Sequence, residues 1–192
     1  MAHDQMDLVR ADREQWLKLY YFFRAAFSVA WVVAAFAVAP SSAAIAGALL
    51  VLYPAWDAAA NFVDALRSGG LTQNRTQALN VVVSLATTIA VLLALRTSMN
   101  WVLGIFGAWA ILSGVLQLGT AIRRWKSFSA QWAMVLSGGQ SALAGGFFIA
   151  QALTPAVPSI ATIVGYAGVG AIYFLVSAVW LAVSDWRRRA VT

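Results

Sequence analysis

From Gln77 to Leu95 the chain carries no charged side chain. At about 1.5 Å per helical residue, that run spans roughly 30 Å, the thickness of a bilayer's hydrocarbon core. Apolar stretches of similar length recur, giving six spans at 17–39, 42–66, 77–95, 101–122, 131–153 and 159–184. Turn chemistry separates them at Pro40-Ser41-Ser42, Arg67-Ser68-Gly69-Gly70, Arg96 to Asn100, and Thr154-Pro155 through Pro158. Inside lipid, every backbone polar group must find a partner within its own segment, so spans of this length are helices. The composition agrees: 61% of residues are hydrophobic and 10% are charged, against about 25% charged in a soluble domain. The expected fold is therefore all-α, a polytopic membrane protein of six transmembrane helices. The short connections 40–41, 96–100 and 154–158 predict three helical hairpins. Residues 1–16 form a polar N-terminal segment, 17–186 the membrane domain and 187–192 a basic tail. The N-terminal segment lacks the basic, apolar and small-residue succession of a cleaved signal, so the first span is expected to be retained.

The charges set an orientation. Arg10, Arg13, Lys18, Arg67, Arg75, Arg123, Arg124, Lys126, Arg187, Arg188 and Arg189 fall on one side of this arrangement, and Arg96 alone on the other. The positive-inside rule then predicts that both termini are cytoplasmic. The same cations are expected to meet anionic lipid headgroups. They lie on four separate segments, which argues against nucleic acid as a partner. Trp16, Trp125, Trp132, Trp186 and Trp101 sit near span ends, where aromatic belts form.

Much chemistry is excluded. The chain has no cysteine, and its one histidine is His3 in the polar segment. No metal, haem or other cofactor site built on those ligands is expected within the spans. Phosphate-binding loops and nucleophilic triads are missing from the sequence. The expected class is non-enzymatic.

One apolar segment carries an unusual polar face. Tyr53, Asp57, Asn61 and Asp64 follow helical spacing on the second span, as do Tyr20, Arg24, Ser28 and Trp31 on the first. At about 1.5 Å per residue, Arg24 and Asp57 lie roughly 10 and 13 Å from the cytoplasmic edges of their spans. An unpaired charge at that depth is costly, and a pair at matched depth relieves the cost. We therefore expect an Arg24–Asp57 ion pair. Two readings stay open: a buried lock between two helices, or part of a hydrated polar site with Asn61. Asp64, near the span edge, is expected to reach water or to pair with Lys18 or Arg67.

Milder polar rows occur at Gln77, Asn80, Ser84, Thr87 and Thr88, at Ser113, Gln117 and Thr120, at Ser137, Gln140 and Ser141, and at Tyr166, Tyr173 and Ser177. Their expected role is hydrogen bonding between helices. Small residues mark close packing: Gly107 and Gly114 on one side of the fourth span, and the row Gly138-Ala142-Gly146 on the fifth. These faces are candidates for helix packing or for a homo-oligomer contact. A weak internal likeness links Tyr53-Pro54-Ala55-Trp56 to Phe106-Gly107-Ala108-Trp109, with Tyr166-Ala167-Gly168 at a similar place in the third hairpin.

Over residues 19–186 the chain resembles the HdeD-like family of small bacterial inner-membrane proteins. The resemblance rests on Arg24-Ala25-Ala26, Pro40 and Asp57-Ala58-Ala59-Ala60. It also rests on Trp101-Val102-Leu103-Gly104-Ile105-Phe106-Gly107-Ala108-Trp109 with Gly114, and on Trp132 followed by Gly138, Gly139, Gly145 and Gly146. Alanines stand at Ala25 and Ala58, where the family commonly has glycine. The resemblance implies three helical hairpins and a stress or acid-resistance role, and it designates no catalytic residue. The leading expectation is a protein acting by helix packing and oligomer assembly. The alternatives are a small transporter or channel built on Arg24 and Asp57, and a membrane anchor for a soluble partner.

Overall fold

The computed structural model describes residues 2–125 and 131–189. Lys126 and residues 190–192 of the expected tail lie outside the described residues, as do the side chains of His3, Arg10, Arg13, Arg188 and Arg189. Six α-helices follow one another: α1 Ala2–Ala37, α2 Ala43–Arg67, α3 Arg75–Ala94, α4 Met99–Arg124, α5 Gln131–Ala152 and α6 Ile160–Arg189. No strand occurs among the described residues. Five stretches are long and apolar enough to cross a membrane: Gln15–Ala37, Ala43–Arg67, Arg75–Ala94, Met99–Arg124 and Ile160–Arg187. The chain thus has the helices of a multi-pass membrane protein. Two ends differ from the expected boundaries. The polar N-terminal segment is helical and continuous with α1, and α6 runs on through Arg187.

Local chemistry sets the breaks. Ser42 and Ser98 cap α2 and α4, their side chains accepting from the backbone N–H of Ile45 and Trp101. Gly69 and Gly70, at φ 106° and 93°, end α2 in a conformation that a side chain would strain. The buried Asn74 amide then donates to the carbonyls of Ser68 (2.9 Å) and Gly70 (2.8 Å), fixing the α2–α3 turn. At the other end, Asn100 donates to the carbonyls of Ala152, Thr154 and Ala156, fixing the α5–α6 turn. Pro54 stands inside α2 without an N–H to give. One residue from the carbonyl it leaves, Trp31 Nε1 donates to Leu49 O at 2.8 Å.

The helices close into a ring in chain order, α6 returning against α1. Neighbours run antiparallel, as the pairs Arg24–Asp57, Ser84–Asp57, Ser84–Trp109, Ser141–Tyr166 and Lys18–Asp185 show. Packing is uneven. The tightest partners are α4 with α5, α1 with α6, and α2 with α3, whereas α1–α2 and α5–α6 touch lightly. Short connections therefore do not make the most intimate pairs here. The α4–α5 seam explains why. A Cβ on Gly145 would lie 2.5 Å from Gly107 O, and one on Gly114 would lie 2.6 Å from Gly138 O, so only glycine allows this approach. Ala142 N lies 3.0 Å from the Gly114 position. Gly146, expected on the same row, does not belong to it: it is exposed, with nothing within 4 Å of its Cβ position. Seven residues from Gly138 bring the helix back to one face at Gly145, and an eighth turns it about 100° further.

The bundle is segregated along its length. At the end marked by Arg96, the interior is an apolar core of Trp31, Leu50, Val91, Leu103, Phe106 and Ile163. Toward the basic end, with Arg67, Arg123 and Arg124, the interior turns polar: Asp57, Asn61, Asp64, Gln77, Asn80 and Ser84 are all buried. The outer surface is the reverse, with Val33, Phe36, Val82, Ile89, Leu143 and Phe147 exposed. That inversion suits a lipid solvent.

Candidate functional site

Side chains of three helices meet at the Asp57 carboxylate, with α4 and α6 one layer behind. Arg24, from α1, places its guanidinium Nη2 against Asp57 Oδ1 in a close ion pair. The second oxygen accepts from Asn61 Nδ2 at 3.1 Å, Ser84 Oγ at 2.8 Å and Asn80 Nδ2 at 3.4 Å. Ser84 is itself held by Trp109 Nε1 of α4 at 2.9 Å. Its hydroxyl therefore accepts a hydrogen bond from the indole N–H and donates one to the carboxylate. Arg24 is clamped further: Nη1 donates to Tyr20 Oη at 2.9 Å, and its guanidinium carbon lies 4.4 Å from the ring centre of Phe174 on α6. Asn61 follows from the spacing of its helix, one turn after Asp57, and also donates to the Asp57 carbonyl.

Asp64 forms a second centre nearer the basic end. It is 2% exposed, and it pairs with Arg124 of α4 at 3.0 Å. Gln77 Nε2 at 3.2 Å, Trp16 Nε1 at 3.3 Å and Ser68 Oγ at 3.4 Å also donate to it. Neither expected partner is used. Lys18 pairs with Asp185 of α6, and Arg67 lies over the Trp16 ring. The carboxylate is buried from the outer surface, because α4 brings its last turn across the end of α2, and it lines an internal cavity instead. Trp16, read from sequence as a belt residue, is a ligand of the Asp64 centre. Arg123 sits alongside, donating to Gln77 Oε1 at 2.7 Å and Asn74 Oδ1 at 3.0 Å.

Between the centres lies a cavity of about 80 Å³, reached by side chains from all six helices. Arg24, Asp57, Gln77, Ser113, Gln140 and Tyr166 give one wall residue from each helix. By the measure that one water needs about 10–15 Å³, the space suits a handful of waters or one small solute. Toward the apolar half an aromatic layer bounds it. Tyr53 and Trp109 meet edge to face at 5.8 Å, and Trp109 meets Tyr166 at 6.3 Å. Each of the three lies in a segment of the internal likeness, where Tyr53 aligns with Phe106 and Trp109 with Trp56. Tyr166 Oη is bound to Ser141 Oγ at 2.6 Å. Four residues of the wall each hold a buried polar atom without a hydrogen-bond partner: Arg24 Nε, Trp56 Nε1, Asn80 Oδ1 and Ser113 Oγ.

The structure thus brings Tyr53, Asp57, Asn61, Arg24 and Asp64 to one cavity. It places Gly107, Gly114, Gly138 and Ala142 in the α4–α5 seam instead. Sequence reasoning missed Arg124, Asn80, Ser84 and Trp109 as members of the carboxylate centres. The three-and-four spacing of Gln77, Asn80, Ser84 and Thr87 was the available signal for α3. Arg124 had none, being one of several cations at a span end. No family model, no curated protein and no solved structure matches the chain.

Proposed function

We propose that the chain is a six-span protein of the bacterial inner membrane that moves a small solute or a proton through its polar cavity. The single observation that carries this is the cavity itself, polar in a bundle whose outside is apolar, with four unpartnered polar atoms in its wall. A buried polar atom without a partner costs roughly 1–3 kcal/mol. A chain that only had to lock its helices together would gain nothing by gathering four of them at one place. The buried pairs Arg24–Asp57 and Arg124–Asp64 then serve as fixed polar walls rather than as sources of stability.

In this proposal α5 crosses with the other five helices, and the basic end is cytoplasmic. The cavity then belongs to the cytoplasmic half, and the Tyr53–Trp109–Tyr166 layer and the apolar core close the other half. Transport requires that layer to part, as in carriers with a site near the bilayer midplane. A purely packing or assembly role is less well supported, because Gly138 and Ala142 face α4 of the same chain. The stress and acid-resistance setting rests on the HdeD-like resemblance. Anionic headgroups are proposed for a recess of about 130 Å³ at the basic end, lined by Arg67, Arg123 and Arg124 with Ser68 and Asn74.

The test is flux in proteoliposomes holding the purified full-length chain, read with a pH-sensitive dye and by osmotic swelling. Solute or proton entry should exceed that of protein-free vesicles and fall at least fivefold in Asp57→Asn. Equal rates with and without protein, across the solutes tried, would refute a transport role.

A further inference from the structure

The charge of the cavity wall narrows what can enter it. Its Arg, Lys, Asp and Glu residues are Arg24, Asp57, Asp64 and Arg124. Each cation is joined to one of the acids, so the wall is neutral as well as polar. A desolvated ion needs countercharge or a cage of dipoles all turned the same way, and a wall of closed pairs with mixed donors and acceptors supplies neither. The atoms left for a ligand are uncommitted hydrogen-bonding groups. Arg24 Nε–H and Trp56 Nε1–H are donors, Asn80 Oδ1 is an acceptor, and the Ser113 hydroxyl is both. The Asn80 orientation is fixed, because its Nδ2 is given to the acceptor-only Asp57 carboxylate. This set matches a molecule with a carbonyl oxygen and N–H groups of its own. About 80 Å³ limits it to a few heavy atoms.

Resting on the transport role above, we infer that the cavity takes a small uncharged amide of the urea or formamide type, and not an ion. Hydrogen-bond donors of Arg24, Trp56 and Ser113 would hold the carbonyl oxygen, and Asn80 Oδ1 an N–H. Asp57 and Asp64 stay in their pairs and carry no proton across.

The test uses full-length protein in proteoliposomes. Urea and formamide entry is followed by stopped-flow light scattering, and potassium, chloride and proton entry by ion-sensitive dyes in the same vesicles. Urea should enter at least tenfold faster than in protein-free vesicles, with the three ions at background. Ser113→Leu, which fills the cavity, should return urea to background, whereas Gly146→Ala, on the outer face of α5 with open space around it, should keep it within about threefold of the parent. Gly170→Val, from α6, repeats the filling if Ser113→Leu does not fold. Ion or proton flux without urea flux would overturn the neutral-solute assignment and leave the transport role standing. Background rates for every solute would remove the transport role itself. Undiminished urea flux in a correctly folded filling variant would move the pathway away from this cavity.

Discussion

Around the Asp57 carboxylate the hydrogen-bonding neighbours act as donors: a guanidinium, two carboxamides and a hydroxyl. An ionised carboxylate accepts only, so this shell fits it without leaving an acceptor facing an acceptor. The energetic consequence is asymmetric. Arg24→Met leaves a buried carboxylate without its cation and should destabilise the fold by about 3–5 kcal/mol. The pair variant Arg24→Met with Asp57→Leu should recover most of that loss, because both buried charges go together. Unfolding in mixed detergent would measure the cycle, and additive losses would show that the two side chains do not interact. The same logic was only half legible at Asp64. Its face on α2 follows from spacing, but its partner Arg124 comes from a helix sixty residues further along the chain. No local pattern says which of several terminal cations will swing inward.

At the scale of helices, what matters is how closely two backbones approach. The α4–α5 seam is built from two glycines on each helix, seven residues apart and facing antiparallel. Gly145→Val puts a branched side chain where Gly107 O and Ile111 already sit, and should cost about 1–3 kcal/mol or more. Gly146→Ala, one residue on, meets open space and should leave thermal stability in detergent within about 1 kcal/mol of the parent. Reversal of that order would mean that α5 is rotated about its axis. The turns offer a second check. Asn74→Ala removes the amide that holds the Ser68 and Gly70 carbonyls. It should raise hydrogen exchange across residues 65–75 more than elsewhere in the chain.

For the whole molecule, the division into an apolar half and a polar half predicts unequal access. The chain has no cysteine, so single cysteines report cleanly. Thr72→Cys, in the basic-end turn, should react with a membrane-impermeant thiol reagent from one side of the membrane. Thr97→Cys and Ser159→Cys should react from the other, both positions being exposed. If Ser159→Cys were labelled from the same side as Thr72→Cys, α5 would not cross and the six-span arrangement would fail. Ser137→Cys, on the cavity wall, should be reached from the Thr72 side more than tenfold faster than Leu103→Cys in the apolar core. Equal rates would mean that the polar half is closed to water.

Charge-free runs of bilayer length made membrane-crossing helices the only economical fold, because the backbone of such a segment has no other way to satisfy its polar groups in lipid. Helical periodicity then placed Tyr53, Asp57, Asn61 and Asp64 on one face, since that spacing is a property of a single helix. Which helices became neighbours was decided by tertiary structure. The glycine seam, the return of α6 against α1 and the reach of Arg124 to Asp64 depend on contacts between segments far apart in the chain. The cavity belongs to that level as well: its wall draws on all six helices, and one helix by itself encloses nothing.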